Sequence, residues 1–498
     1  MPLSLDTATP NSYELEILTI VNNEGEGFDI RNIFLECNIY ESIKRNFLLG
    51  EVVIGDSVAF LENAKLFGQE SIRVRFKQPQ GLQDTDIHED DLIDQVFRIY
   101  KIDAVTRLKD STQVFKVSFC SPEMITSKRT RISAAFNGSM TGIAAKVAAE
   151  HLDIRDRGGD IKKSKSTLLP GWQVREESKG NQYHVVIPNW TVGYTINWLC
   201  KQSQGDTVNS GLQDSFYWYQ TAVGDYRIQS LDSMMKIKYG GGRPFRYLGG
   251  SENDFKDEPY DMTDNNKTGM GRRILSYQVG THADVLKGVV EGLFASKQTT
   301  INTTYKYFSE RSYNFIEKHF SGTGQSLNEY PFVRTDAETL FIGSSSEMGE
   351  DVSTKLREST LTPKTIGSYS DAYQMLTSDS EFVNDDKNAF HQANHEIHLG
   401  SAQFRNAATK LLDYHTINVS LSARTDISVG TVINLEIPPV RPGDEEVEPK
   451  FNNGEHLITE IMWNLKPNAL KTNLKCISDS VLNNIETTKI EYGESEKT

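Results

Sequence analysis

The chain has 498 residues and a formal net charge of −15. This length predicts roughly three or four domains, and a composition with 37% hydrophobic and 24% charged residues is typical of folded, soluble domains. The negative charge argues against nucleic-acid binding as the main role, because phosphate contacts need clustered Lys and Arg.

The four cysteines are widely spaced, and each lies in an apolar strand or helix pattern: Cys37, Cys120, Cys200 and Cys476. A disulfide framework needs denser cysteines, so we predict buried thiols in a reducing compartment. The first residues lack the basic and apolar regions of a secretory signal. Apolar runs are all shorter than the ~20 residues of a membrane-spanning helix, so no membrane insertion is expected.

Residues 13–121 show the two-residue alternation of β-strands, for example at 13–17, 72–77 and 115–119. The stretch 81–94 is acidic and rich in turn residues, and is predicted to be a long exposed loop. The pattern predicts an antiparallel sheet folded into a sandwich or a small barrel.

The middle of the chain predicts an α+β region. Helices are expected over 121–136 and 138–152, with Ser121 as the cap and Pro122 as the first residue of the first helix. A third helix is predicted by apolar residues that share one helical face: Val192, Ile196, Leu199 and Cys200. Residues 215–231 predict a hairpin that turns at 223–225.

The last part of the chain begins with a strand–helix–strand pattern over 272–308 and continues with about ninety polar, loop-rich residues. Four strands are then predicted, the first two of them as a β-hairpin: 415–425, 430–437, 455–466 and 472–481. On the second strand, Ile433, Leu435 and Ile437 form the predicted buried face. The final residues predict a solvated tail.

Three histidines are the only candidates for a metal site. His391, His395 and His398 would share one face if their segment were helical, and three imidazoles can hold zinc. The order His-Glu-x-His does not match the zinc-protease spacing His-Glu-x-x-His. The favoured interpretation is therefore a solvated or interface helix, with no cofactor and no metal.

Other motifs also fail to predict an active site. The glycine-rich stretches 239–245, 268–273 and 321–326 lack the Gly-Lys-Ser/Thr ending of a phosphate loop and are interpreted as turns, and Arg272 and Arg273 are expected to make salt bridges on the acidic surface. Clustered carboxylates lie in acidic loops, where solvation explains them better than a glycosidase pair does. The basic cluster Lys128, Arg129 and Arg131 is interpreted as a salt-bridged helix face.

Four segments together resemble one family, the baseplate hub proteins of contractile-tailed (T4-type) bacteriophages, which are related to type VI secretion spikes. In chain order, these segments are 119–152, 187–234, 274–308 and 403–465. The resemblance implies that the chain is β-rich α+β, with two tail-tube-like barrel or sandwich domains and lateral α+β modules.

The resemblance also implies a domain plan. Residues 1–125 would form the first tube-like domain, and 271–310 with 400–482 the second. Residues 126–270 would be a lateral α+β domain, 311–399 an inserted α+β module, and 483–498 a polar tail.

The implied role is a non-enzymatic structural subunit of the virion baseplate, assembled in the host cytoplasm. Three chains would form a pseudo-hexameric ring that joins the hexameric tail tube to the central trimeric spike, among the surrounding wedge proteins. DNA would only pass through the channel. The alternatives are a tail-associated or cell-surface glycan-binding or glycan-hydrolysing enzyme, and a monomeric binding module.

Overall fold

A computed structural model describes residues 12–78, 92–109, 112–152, 154–156, 171–174, 178, 183–205, 215–247, 272–281, 284–293, 295–302, 307–314, 326–331, 403, 405–410, 413–437 and 451–482. Within these ranges, no helix is long and apolar enough to cross a membrane.

The first β unit is built from the strands that the alternating pattern predicts. Its elements are β1 (Glu14–Val21), β2 (Gly27–Asp29), β3 (Phe34–Ser42), β4 (Leu49–Asp56), α1 (Phe60–Asn63), β5 (Ser71–Lys77), β6 (Ile93–Lys109) and β7 (Thr112–Cys120). On β5 the apolar residues Ile72, Val74 and Phe76 are fully buried, while the charged residues between them are half-buried. The predicted acidic loop at 81–94 lies mostly outside the described residues.

The middle region follows as a mixture of short helices and strands. Its elements are α2 (Pro122–Arg129), β8 (Arg131–Gly138), α3 (Met140–Leu152), β9 (Arg155–Asp156), β10 (Gly171–Val174), β11 (Tyr183–Thr191), α4 (Val192–Gln202), β12 (Phe216–Gln220), β13 (Tyr226–Ser230), α5 (Leu231–Met235) and β14 (Pro244–Arg246). The helix α3, the buried face of α4 and the hairpin of β12 and β13 confirm the predictions.

The predicted helix over 121–136 was wrong in its second half. The helix ends at Arg129, and Arg131–Gly138 instead forms β8, which pairs antiparallel with β11. Backbone hydrogen bonds to a strand about fifty residues away override the weak local preference of this segment.

The second β unit lies at the end of the chain and comprises β15 and β19–β22. The elements after β14 are β15 (Ile274–Thr281), α6 (Val285–Val290), β16 (Ala295–Asn302), β17 (Tyr307–Asn314), β18 (Tyr330–Pro331), β19 (His415–Leu421), β20 (Val432–Glu436), β21 (Gly454–Lys466), β22 (Ala469–Ser478) and β23 (Ser480–Val481). The strand–helix–strand pattern and the four late strands are confirmed.

The predicted hairpin of the first two late strands was wrong, although both strands exist. The strand β19 pairs with β15 and β22, whereas β20 pairs with β14 and β21. The connection between β19 and β20 contains the buried residues Arg424, Ile427 and Val429, so it is packed into the core and does not form a tight turn.

One 13-stranded sheet unites the two β units. Its order is β15-β19-β22-β21-β3-β4-β7-β6-β5-β1-β2, with β20 joined to β21 and β14 joined to β20. An apolar core contains residues of both units, among them Phe97, Phe119 and Trp463. A second core lies inside the middle region, between β8, β11–β13, α3 and α4. The protein is therefore β-rich α+β, built around a large sheet in which all neighbours along the main path are antiparallel.

Candidate assembly surface

The two β units meet where β3 pairs with β21. Six residue pairs, from Glu460 opposite Ser42 to Leu465 opposite Cys37, align the strands antiparallel. The sequence predicted both strands but not their pairing. On its other side, β3 pairs with β4 of the first β unit, and β21 pairs with β22 of the second. The junction therefore joins two units that lie far apart in sequence into one sheet.

One side of this sheet is polar across the junction. The register places Asn464 opposite Asn38 and Asn38 opposite Glu51, so these side chains lie on the same face. We call this the polar face and define it by these residues and their neighbours on the same side: Glu36, Tyr40, Lys116, Ser420, Glu460, Asn473 and Lys475.

Hydrogen bonds connect the polar face across the junction. The Asn464 amide donates to Glu36 Oε1 and is 2.6 Å from Asn38 Oδ1. Tyr40 Oη donates to Glu51 Oε1 at 2.9 Å, and Lys116 Nζ lies 3.3 Å from Glu51 Oε2. A chain of polar contacts therefore runs from β21 through β3 and β4 to β7.

Glu41 lies on the opposite, core side of β3 and joins three parts of the chain. Its Oε2 accepts a hydrogen bond from the backbone N–H of Ala222 in the middle region at 2.7 Å. Its Oε1 accepts one from Val429 of the second β unit at 2.9 Å. Burial raises the pKa of this carboxyl to about 7, against the opposing effects of both hydrogen bonds and of Arg227.

Sequence analysis did not identify Glu41, although a signal was present. On β3, Cys37, Ile39 and Glu41 occupy alternate positions on the buried face. A carboxylate on the buried, apolar face of a strand lowers the stability of the fold unless its oxygens accept hydrogen bonds. That position therefore indicates a specific polar partner, but the sequence does not show which one.

A buried ion pair fixes the connection between β19 and β20 to the middle region. Arg424 donates through Nε to Asp426 Oδ1 at 2.8 Å, and Tyr239 Oη lies 2.5 Å from Asp426 Oδ2. The side chains of Arg424 and Asp426 are almost wholly excluded from solvent. Burial, reinforced by the charge of Asp426, raises the pKa of Tyr239 above its usual range, so the hydroxyl stays protonated and donates.

The glycine-rich stretch 239–245 belongs to this buried cluster. Gly240 has φ +55°, and a Cβ there would lie 2.3 Å from the Arg272 guanidinium. Arg272 was expected at the surface, and this was wrong. It is buried, donates to the Arg243 carbonyl at 2.7 Å and lies near the rings of Tyr239 and Phe245.

A short segment from the region of the predicted inserted module also attaches to the second β unit. The Asn328 side chain accepts a hydrogen bond from Glu455 N at 2.7 Å and donates to the carbonyls of Glu455 and Ser480 at 3.0 Å. Asp479 Oδ1 accepts a hydrogen bond from Leu327 N at 3.0 Å. Residues 326–331 are therefore docked on β21 and on the segment after β22.

Several buried carboxylates bind backbone N–H groups. Asp56 and Glu70 each accept hydrogen bonds from three of them, and Glu41 accepts from two. A hydrolase of the glycosidase type needs two carboxyls that flank a substrate cleft. In these three residues the carboxyl oxygens are instead committed to holding the fold.

The other predicted site residues are placed as follows. His391, His395 and His398 lie outside the described residues. Across the described ranges, no group of three His, Cys, Asp or Glu residues could hold a metal ion. The four cysteines are buried and free, as predicted. Lys128 and Arg129 are exposed at the end of α2, but Arg131 is on β8 and not on a helix.

Comparison with known proteins gives structural similarity only. No protein-family model and no curated protein matches the sequence. A tail protein from Neisseria meningitidis has a TM-score of 0.46 to this chain, at 10% identity, over 94% of this chain and 97% of the other. The 43 kDa tail protein of prophage MuSo2 from Shewanella oneidensis has a TM-score of 0.49, at 10% identity, over 94% and 100% of the two chains.

A third similar structure is a component of the Escherichia coli type VI secretion system, described as structurally similar to tail proteins of bacteriophage T4. Its TM-score is 0.38, at 8% identity, over 94% of this chain and 77% of the other. All three TM-scores are below 0.5. By their descriptions, two of these structural neighbours are tail proteins, one of them from a prophage, and the third is a component of a type VI secretion system.

Proposed function

We propose that the chain is a structural subunit of a contractile phage tail, a baseplate hub protein without catalytic activity. Three copies would close into a ring in which the two β units of each chain act as tube-like domains. The ring would then present six similar units to a hexameric tail tube on one side and accept a trimeric spike on the other.

One observation carries this proposal: the two β units share a single sheet whose polar face continues across their junction. A repeated unit that lines a channel needs one continuous wall, and the pairing of β3 with β21 provides it within the chain. Among the described strands, the main path of the sheet ends at β15 on one side and at β2 on the other. Closed oligomers protect such free edges.

The charges of the polar face suit a channel that DNA passes through. The residues that define it include three glutamates and two lysines, and Lys471, opposite Asn464, adds a third lysine to the same face. Lys116 lies 3.3 Å from Glu51, and Lys475 lies 3.3 Å from Glu460. Charges of both signs, balanced in number, offer no continuous cationic track for phosphates. The wall would therefore allow DNA to slide without gripping it.

The middle region would be the lateral domain of the ring, and 311–399 would be a module inserted in the second tube-like domain. The attachment of residues 326–331 to the second β unit supports this placement of the inserted module. The tail tube, the central spike and the wedge proteins would be the partners, in the virion baseplate.

Native mass tests the proposal. Light scattering or mass photometry over a concentration series should detect a trimer of the 56.1 kDa chain, with a mass of about 168 kDa. If the chain is monomeric alone, the same measurement is repeated after co-expression with the spike protein. A monomer under both conditions would contradict the ring.

A further inference from the structure

Residues 326–331, which we call the strap, attach to the second β unit through a small number of contacts. Leu327 N donates to Asp479 Oδ1 at 3.0 Å, and Asn328 N donates to Ser480 Oγ at 2.7 Å. The strand β18 contributes two residues, which pair with β23. Because segments held by few backbone hydrogen bonds can open without the rest of the fold, the strap can detach locally.

The side chain of Asn328 is the main anchor of the strap. It accepts a hydrogen bond from Glu455 N and donates to the carbonyl oxygens of Glu455 and Ser480 and to Ser478 Oγ, the last at 3.3 Å. Gly454 leaves space for this side chain, since a Cβ at that position would lie 2.4 Å from Asn328 Oδ1. Asn328 therefore fills the gap between the start of β21 and the segment after β22.

Two buried histidines lie beside the serine that Asn328 contacts. His415 is opposite Ser478 in the pairing of β19 with β22. The pairing of β21 with β22 places His456 on the other side of Ser478, one position before the first pair of that ladder. The centroids of the two imidazole rings are 5.9 Å apart, and both histidines are fully buried. The anchor of the strap therefore closes the end of a row that contains two imidazoles.

The docked structure offers no partner for a second proton on His456. Its Nδ1 lies 3.0 Å from the carbonyl oxygen of Gly454, so the neutral ring donates from Nδ1. Among the described residues, Nε2 has no hydrogen-bond partner. Protonation would create a buried N–H donor without an acceptor, together with a buried positive charge. Burial accordingly lowers the pKa of His456 to about 4, against the hydrogen bond to Gly454, which raises it.

The other ionisable residues on the surrounding elements do not supply that partner. Glu455 is the neighbouring residue on β21, so its side chain points to the other face of the strand, where it pairs with Lys238. Glu329 on the strap is exposed. On β20, the residue opposite His456 is the apolar Ile433.

Asp479 is the buried acid nearest to the strap in sequence and contacts, and it acts in the opposite sense. Its Oδ1 accepts hydrogen bonds from Leu327 N and Ser480 Oγ. Burial raises the pKa of Asp479, so the docked state holds a proton on this carboxyl more tightly than a hydrated state would. Acid therefore favours docking through Asp479 and opposes it through His456, and an experiment must separate the two groups.

We propose that protonation of His456 releases the strap, so that residues 326–331 detach from β21 and β23 in acid while the sheet itself stays folded. Release admits water to the end of the sheet, where a hydrated imidazole can take up the proton that the docked state excludes. Because only the released state binds this proton readily, a falling pH shifts the equilibrium towards release. The proposal concerns the chain alone and does not depend on the proposed ring.

Hydrogen exchange followed by mass spectrometry tests the proposal on the full chain. Exchange of the strap is compared with that of residues 461–465 in the centre of β21, at pH 7 and pH 5, after correction for the intrinsic exchange rates. The variants are His456→Asn, Asn328→Ala and the control His151→Asn, which removes a histidine on α3 of the middle region. Thermal unfolding of each variant verifies its fold.

The opening equilibrium of the strap should rise about tenfold or more from pH 7 to pH 5 in the wild type and in His151→Asn, if the released imidazole regains its ordinary pKa of 6.5. It should not rise in His456→Asn, and Asn328→Ala should open the strap at both pH values. Residues 461–465 should stay protected in the wild type throughout.

Three results would overturn the proposal: equal protection of the wild-type strap at both pH values, simultaneous loss of protection in the strap and in 461–465, or an acid response that persists in His456→Asn. If His456→Asn does not fold, the wild-type imidazole is titrated by nuclear magnetic resonance. Titration of His456 that accompanies strap opening supports the proposal, and titration near pH 6.5 while the strap stays protected rejects it.

Discussion

Glu41 and Val429 are 388 positions apart in sequence, and the Glu41 carboxylate accepts a hydrogen bond from the Val429 backbone N–H at 2.9 Å. The same carboxylate binds Ala222 N, so one side chain connects the first β unit, the middle region and the second β unit. The structural integrity of this three-way contact depends on a buried acid, and it can be tested directly.

Glu41→Ala should strongly destabilise the protein. The substitution leaves two buried N–H donors without an acceptor, which costs about 1–3 kcal/mol for each donor. Denaturant unfolding followed by circular dichroism measures the loss. The matched control is Glu460→Ala, which removes a half-exposed partner of Lys475 and should change stability by less than about 1 kcal/mol. Equal stability of the two variants would contradict the role of Glu41.

The same carboxyl should make stability pH-dependent. Its pKa in the folded protein, about 7, is above the reference value of 4.5, so its stabilising contribution is complete below pH 4.5 and is lost as the pH rises through 7. The difference in free energy of unfolding between wild type and Glu41→Gln should therefore fall by about 2 kcal/mol from pH 5 to pH 8.

Taking the difference cancels the other titrating groups, because both proteins share them. A difference that stays constant across this range would mean that Glu41 is ionised in the folded protein at pH 5 as well as at pH 8.

His456 should produce the opposite slope. Burial lowers the pKa of this imidazole from 6.5 to about 4, so the unfolded chain binds a proton that the folded protein does not. Stability should fall as the pH drops below 6.5, by about 2 kcal/mol at pH 5. A His456→Asn variant should lack this part of the pH dependence. Parallel pH profiles for the two proteins would contradict the assignment.

Breaking the ion pair between Arg424 and Asp426 should cost more than breaking one at the surface. Asp426→Ala leaves the buried guanidinium without its carboxylate, a change that typically costs about 3–5 kcal/mol. Glu436→Ala removes the partner of Arg246 in a largely exposed pair and should cost no more than about 1 kcal/mol. Unfolding midpoints at equal protein concentration compare the two variants, and a smaller loss for Asp426→Ala would reject the structural role of the pair.

Leu435→Asp should prevent the second β unit from folding, because it places an unpaired charge in the core. Asn434→Asp, on the half-buried side of the same strand, should be milder. The measurements are soluble yield and far-ultraviolet circular dichroism. A soluble Leu435→Asp variant with an unchanged spectrum would show that β20 does not need its apolar face.

Most individual elements could be predicted from the sequence. Apolar and polar residues alternate along β5 and β20, and apolar residues share one face of α4. These patterns lie within each short segment, so they can be recognised without knowing the rest of the fold. The helix over 121–136 was half wrong because β8 exists through its pairing with β11. The same reason accounts for the hairpin that was predicted between β19 and β20.

The candidate assembly surface was less predictable than the strands that form it. Asn38, Glu51 and Asn464 are ordinary polar residues on alternating strands, and their common face follows only from the register of β21, β3 and β4. The position of Glu41 on the buried face of β3 could have been recognised from the sequence. Its partners could not, because they are the backbone N–H groups of Ala222 and Val429.

The sequence by itself therefore determined the β-rich composition, the positions of most strands and helices, and the burial of the four cysteines. Local side-chain periodicity encodes these features. Only the tertiary structure decided that β3 pairs with β21, that Arg272 and Arg424 are buried, and that Phe67 is exposed. Strands pair through backbone hydrogen bonds. Because the backbone is the same for nearly every residue type, the sequence does not show which distant strands pair.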